Sequence, residues 1–177
     1  LHPHVALSIS YTDLTVDLIH GGYDLRIHVG GLKDSSMMSR KLSEYRRMLV
    51  AGAQYASSRS DPVRPGDLED WDWIQYAQRG DAVKFTSKTG ETETVIGNSQ
   101  IQVDSVDALY HYTRQNLGAT VLPWHLAKKG LDTGEFVQLL PDWGLSALGC
   151  FAVWPDKSRR ESLTLLLVRF LAAKDNY

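Results

Sequence analysis

Val5, Leu7 and Ile9 alternate with small or polar residues, the two-residue period of a strand, and Leu14 to His20 then reads as a short helix closed by Gly21-Gly22. Asp24 to Val29 is strand-like again. A strand, a helix and a strand within about 25 residues suit a parallel crossover and exceed a tight hairpin, so a parallel first sheet is expected. Gly30-Gly31 ends this unit in a loop, after which Ser39 to Leu42 and Arg46 to Ala51 read as two more extended segments.

From Gly52 to Asp70 the residues become small, polar and proline-containing; Pro62, Pro65 and Gly66 mark turns, and Gly66-Asp67-Leu68 opens a short helix or turn. Trp73 to Tyr76, Val83 to Ser87 and Glu93 to Val103 supply strands, the last two separated by the turn Lys88-Thr89-Gly90. Ser105 to Asn116 carries Val106, Leu109, Tyr110 and Thr113 on one helical face, with Leu117 following and Gly118 expected to end the helix. Ala119 to Leu122 is a short buried strand, Pro123 suits the first turn of a helix running to Lys129, and Gly130 is expected to stop it. Leu148 to Trp154 is the last strand, and Leu163, Leu166, Leu167, Phe170 and Leu171 form the apolar face of the last helix.

Composition narrows the function classes. The 177 residues are 43% hydrophobic, enough for one good core or two small ones, and no run approaches the roughly 18 apolar residues of a membrane-spanning helix. Leu1-His2-Pro3-His4 shows neither the basic nor the apolar region of a secretory signal, so export is unsupported. The single cysteine, Cys150, cannot form an internal disulfide and reads as a small buried hydrophobe, consistent with a reducing, cytoplasmic compartment. A net charge of −2 lacks the basic footprint of a nucleic-acid binder. The basic runs Arg46-Arg47 and Lys157-Ser158-Arg159-Arg160 have acidic neighbours and read as solvated surface.

Catalytic and cofactor signatures are weak. Gly144 to Gly149 resembles a nucleophile elbow, but the second glycine is one residue too far and no helix pattern follows Ser146. The six histidines show no internal ligand spacing, and Gly21-Gly22 and Gly30-Gly31 are turn glycines rather than phosphate cradles, so neither metal nor cofactor is expected. Two features suit ligand binding. Asp104-Ser105 opens the best helix directly after a strand, aiming free N–H groups and the positive helix end at a cleft, although capping alone also explains the pair. Trp71 to Tyr76 is aromatic and polar at a strand end, where core packing is the competing explanation.

The run Val16-Asp17-Leu18-Ile19-His20-Gly21-Gly22-Tyr23-Asp24-Leu25-Arg26-Ile27-His28-Val29-Gly30 resembles LysR-type transcriptional regulators, as do Leu32, Asp34-Ser35-Ser36 and Arg40-Lys41-Leu42. The resemblance continues through Leu49-Val50-Ala51, Tyr55, Pro62, Pro65 to Leu68, Asp104 to Ala108, Gly118 to Pro123 and Leu139-Leu140-Pro141-Asp142-Trp143. It spans nearly the whole chain in order. The family pattern usually has arginine at His28, and its sensing domain opens with a strand and helix expected to precede Leu1, after a winged helix-turn-helix.

The resemblance implies an α/β, two-lobed type 2 periplasmic-binding-protein-like fold with crossing hinge strands. Residues 1–51 and 150–177 would form one lobe and 52–149 the other. It implies a non-enzymatic effector-sensing domain that binds a small molecule between its lobes, works as a homodimer or tetramer, and meets DNA only through a separate N-terminal domain. The expected effector-binding residues are Tyr11, Thr12, Gly30, Gly31, Gln75, Tyr76, Asp104, Ser105 and Pro123, each at a strand end where such sheets open a crevice. A solute-binding protein of a transport system would share the fold; a small hydrolase would need a nucleophile and base that the sequence does not supply.

Overall fold

Ala119–Pro123 (β8) is buried along its whole length, and the fold of the larger lobe follows from that strand. In this computed structural model, which describes residues 4–14, 16–32, 37–80, 82–155 and 162–173, β8 is the central strand of a five-stranded sheet. Parallel to it runs Asp72–Tyr76 (β4), with Asn98–Val103 (β7) beyond. On its other side lies antiparallel Arg47–Gly52 (β3), followed by Phe136–Gln138 (β9).

Successive side chains of this sheet face opposite ways, and each face has a cover. Val50, Ile74 and Leu122 pack against Leu109 and Tyr110 of helix Val106–Arg114 (α2) and Ala127 of helix Trp124–Asp132 (α3). Leu49, Ala51, Trp73, Ala119 and Val121 pack on Phe85, Val83 and Val95. Those residues belong to a small antiparallel sheet of Trp143–Leu145 (β10), Ala82–Ser87 (β5) and Thr92–Ile96 (β6). The expected strand from Glu93 to Val103 is therefore two, divided at Gly97, where any Cβ would strike the Trp73 indole.

Helix ends depart from the glycine rule twice. Ser105 caps α2 as expected, but the turn out of it is made by Asn116 at φ 61, two residues before Gly118. Asn116 stays there because its Oδ1 accepts hydrogen bonds from Gln54 N (2.9 Å) and Tyr55 N (3.2 Å) in the short helix Ala53–Ser57 (α1). Gly130 does not stop α3; it lies inside the helix so that the Phe136 ring can pack on it, and Gly134 at φ 73 carries the turn instead. Pro65–Leu68 forms the expected single helical turn.

The smaller lobe is a sheet in the order Arg26–Val29 (β1), Leu148–Pro155 (β11), Met37–Tyr45 (β2), antiparallel at both junctions. The expected parallel sheet is corrected here, because β11 returns from the other lobe and inserts between β1 and β2. Val5 to Ile9 is not a strand, since no described strand pairs with it, and in the segment expected as a helix Val16 to His20 runs into a turn at Leu18 to His20, while Thr15 lies outside the described residues. The core of this lobe is thin, with Leu18, Ala152, Val153 and Val168 buried. Helix Leu163–Ala173 (α4) buries Val168, while Leu163, Leu166 and Phe170 are exposed, so the expected inner face is rotated. Asp34-Ser35-Ser36 and the Lys157 to Arg160 run lie outside the described residues.

β2 pairs within the smaller sheet and β3 within the larger, so the chain passes from one sheet to the other at Arg46 and back at Ser146-Ala147, between β10 and β11. Among the described residues, no helix is long and apolar enough to cross a membrane.

Candidate functional site

Both crossings are tied where β3 begins. Arg47 lies opposite Pro123 in the β3–β8 ladder, Trp124 N donates to the Arg46 carbonyl (2.9 Å), and Arg47 Nη2 donates to the Ser146 carbonyl (2.9 Å). Ser146, the serine of the elbow-like sequence, thus supports the hinge through its backbone. Pro123 is buried and opens α3, which makes it a wall of the junction.

The N-terminal segment reaches the end of β4 and the start of α2 through Asp13. Its Oδ2 accepts a hydrogen bond from Val106 N (2.8 Å), one of the unpaired N–H groups at the start of α2, and its carbonyl accepts from the Tyr76 hydroxyl (3.4 Å). Ser105 Oγ accepts a longer bond from Ala108 N (3.5 Å), and Asp104 is exposed beside it. A carboxylate is therefore already seated at the helix start that the sequence marked for ligand binding. Thr12 Oγ1 accepts from Leu14 N (3.2 Å), fixing the turn around Asp13, whereas the Tyr11 side chain is 93% exposed.

Gln75 and Tyr76, at the end of β4, line a crevice with Arg79, Gly80, Ser99 and Thr120; it encloses about 20 Å³, space for about one water-sized group. The structure thus gathers Thr12 through its neighbour Asp13, Tyr76, Asp104, Ser105 and, on the hinge side, Pro123. Gly30 and Gly31 are held on the smaller lobe: Gly30 N donates to Gly149 O (2.9 Å) at φ 113, and His28 Nε2 donates to Gly31 O (3.1 Å). His28 thus bonds within its own loop.

The strongest electrostatic feature comes from residues that sequence reading did not select. Arg79 is pushed down to about 10, first by burial and then by the charge of Arg47; burial also lowers Arg47. Arg47 Nε is buried without a hydrogen-bond partner. The phenols of Tyr45 and Tyr76 are raised by burial and then by the Asp13 charge, so both stay protonated as neutral walls at physiological pH. The Arg46-Arg47 pair is therefore only half solvated surface: Arg46 is exposed and Arg47 turns inward. Strand alternation at 46–51 carries that signal in the sequence, while Arg79, in a turn, has no such pattern. Among the described residues no group of three or more His, Cys, Asp or Glu could hold a metal ion.

Comparison with known proteins agrees with this architecture. Residues 1–175 match the model of the LysR substrate binding domain. An uncharacterized HTH-type transcriptional regulator of Haemophilus influenzae is 27% identical over 157 residues, covering 88% of this chain and 54% of that protein. The HTH-type transcriptional regulator PtxR of Pseudomonas aeruginosa is 27% identical over 154 residues, covering 86% of this chain and 49% of its own. This chain spans about half the length of these curated relatives, which are transcriptional regulators rather than solute-binding proteins. Among solved structures, the full-length Vibrio cholerae virulence activator AphB superposes with a TM-score of 0.75 at 25% identity, covering 89% of this chain and 54% of that one. The CrgA regulatory domain of Neisseria meningitidis gives 0.74 at 16% identity, covering 90% and 80%. The fold is thus the two-lobed, periplasmic-binding-protein-like α/β fold of such regulatory domains. Ordered motifs, fold and relatives converge, and this chain belongs to the LysR substrate-binding domain family, the effector-binding part of LysR-type transcriptional regulators.

Proposed function

We propose that this domain senses a small polar or anionic molecule in the crevice between its lobes and relays its presence to a DNA-binding domain through oligomerisation. The observation that carries this reading is the Asp13 turn, which bridges the end of β4 at the Tyr76 hydroxyl and the start of α2 at Val106 N beside the cavity that Gln75 and Tyr76 line. Strand ends and a helix N-terminus meeting at a crevice hold a ligand with little rearrangement. A ligand preferring one closure angle shifts the lobes toward it about Arg46 and Ser146, and a two-fold dimer or tetramer converts that shift into a new head spacing. Gly30 and Gly31 would contribute from the smaller lobe as the crevice closes. The domain would act without a cofactor or catalysis, in the cytoplasm, touching DNA only through a separate domain.

A thermal-shift screen of small metabolites tests this. Ligand at 100 times its Kd stabilises by about 2.7 kcal/mol, a rise of roughly 5–11 °C for a domain of this size. The rise should vanish in Ser105→Trp and fall in Gln75→Ala. A hit whose affinity is unchanged in both variants would place binding elsewhere.

A further inference from the structure

Asp13 joins the two lobes. The chain that follows it is anchored to the smaller one: Leu18 is buried, and Arg26 Nη1 of β1 donates to the Val16 carbonyl (2.9 Å). Asp13 itself, three residues before Val16, bonds to the larger lobe, where its Oδ2 accepts from Val106 N (2.8 Å) and its carbonyl from the Tyr76 hydroxyl (3.4 Å). Neither bond is local, since Val106 lies 93 residues away in the chain and Tyr76 63.

The start of α2 leaves a donor for such a partner. Ser105 caps the helix by accepting from Ala108 N, so the first helical N–H, that of Val106, needs an acceptor from elsewhere. The positive helix end favours a carboxylate there, while the neighbouring Asp104 and Asp107 oppose further negative charge, so the bond holds at rest and can still be released. Three steps of extended chain span at most about 11 Å, so with the bond closed the α2 start stays within that distance, plus one side chain, of the Val16 anchor. We propose that Asp13 is an inter-lobe clasp: in the ligand-free domain it fixes the angle between the lobes, and the crevice opens only when the bond from Val106 N is released. The clasp goes beyond effector sensing, because it acts whether or not the crevice takes a ligand.

Residual dipolar couplings of the 15N-labelled 177-residue chain read the lobe angle directly. Amides of β1, β2 and β11 report the smaller lobe, and those of β3, β4 and β8 the larger. In the wild type both sets should fit one alignment tensor, in the orientation of the structure. Val106→Pro removes the donor and leaves Asp13 untouched; proline suits the first helical position, and Ser105 is already extended (φ −122, ψ 133), as the residue before a proline prefers. Asp13→Ala removes the acceptor, whereas Asp13→Asn keeps an oxygen that can accept. Losing one bond at a helix start lowers the closed-to-open ratio roughly fivefold. Val106→Pro and Asp13→Ala should therefore each require a separate, smaller tensor for the smaller lobe, while Asp13→Asn stays close to the wild type. Helical Cα shifts across α2 check that each variant folds, and if Asp13→Ala does not, Val106→Pro decides. Two tensors already in the wild type, or a single unchanged tensor in Val106→Pro, would overturn the clasp. A screened metabolite that shifts the Gln75 and Tyr76 amides while the lobes ignore both substitutions would reject the clasp and leave the effector reading standing.

Discussion

Replacing Arg79 with methionine should make the ligand-free domain more stable. Methionine keeps an apolar stem of similar length, so the packing of the arginine methylenes is largely retained while the charge is removed. The perturbation of Arg79 sets the scale: its guanidinium falls from an ordinary 12.5 to about 10 through burial and the Arg47 charge. At 1.36 kcal/mol for each pH unit that a pKa moves, this is about 3 kcal/mol, and partial exposure with solvent screening reduces it to about 1–2 kcal/mol. A cation with a depressed folded pKa is penalised wherever it is protonated. The cost is therefore complete at pH 7 and fades only as pH rises above about 10. For a domain of this length the gain corresponds to a Tm increase of roughly 2–8 °C. Urea and thermal unfolding of the wild type and Arg79→Met at pH 7, without added ligand, measure it. A loss of stability greater than about 1 kcal/mol would show that Arg79 is compensated in the ligand-free fold and would refute the reasoning.

Other consequences are open to direct measurement. Asp13→Ala removes the carboxylate that meets Val106 N, so it should cost about 0.5–1.5 kcal/mol and speed hydrogen exchange in residues 4–14 and at the α2 start; unchanged exchange would count against the contact. Gly130→Ala drives a Cβ into the Phe136 ring and should destabilise by about 1–3 kcal/mol in urea unfolding, the opposite of an ordinary Gly-to-Ala change in a helix. Glu135 is held below its ordinary 4.5, chiefly by the hydrogen bond from Arg114 Nε (2.6 Å). Its contribution is present above the unfolded pKa and lost as pH falls through the lower folded value, and Arg114→Gln should flatten that acid-side decline.

Local pattern was readable wherever a segment's own residues decide its structure. The α2 helix, its Ser105 cap and the fully apolar β8 needed only periodicity and a capping residue. Strand pairing in the smaller lobe was not readable, because the insertion of β11 between β1 and β2 depends on chain that returns more than a hundred residues later. Val5 to Ile9 has the right alternation, but alternation alone does not make a strand, and no described strand pairs with this segment. Gly118 and Gly130 failed as helix stops for the same tertiary reason: Asn116 is recruited by the α1 amides, and Gly130 by the Phe136 ring. At the candidate site, Tyr76 and Ser105 were legible as strand end and helix start. Arg79 and Asp13 were not, since their importance lies in which charges the fold leaves near them.

The most direct test of the central claim is a crystal structure of the domain bound to a metabolite selected by the thermal-shift screen. The account predicts ligand between the lobes, in contact with Tyr76 and the α2 start at Ser105. Ligand bound on the outer surface of either lobe, with the Tyr76 and Arg79 crevice unchanged, would contradict it.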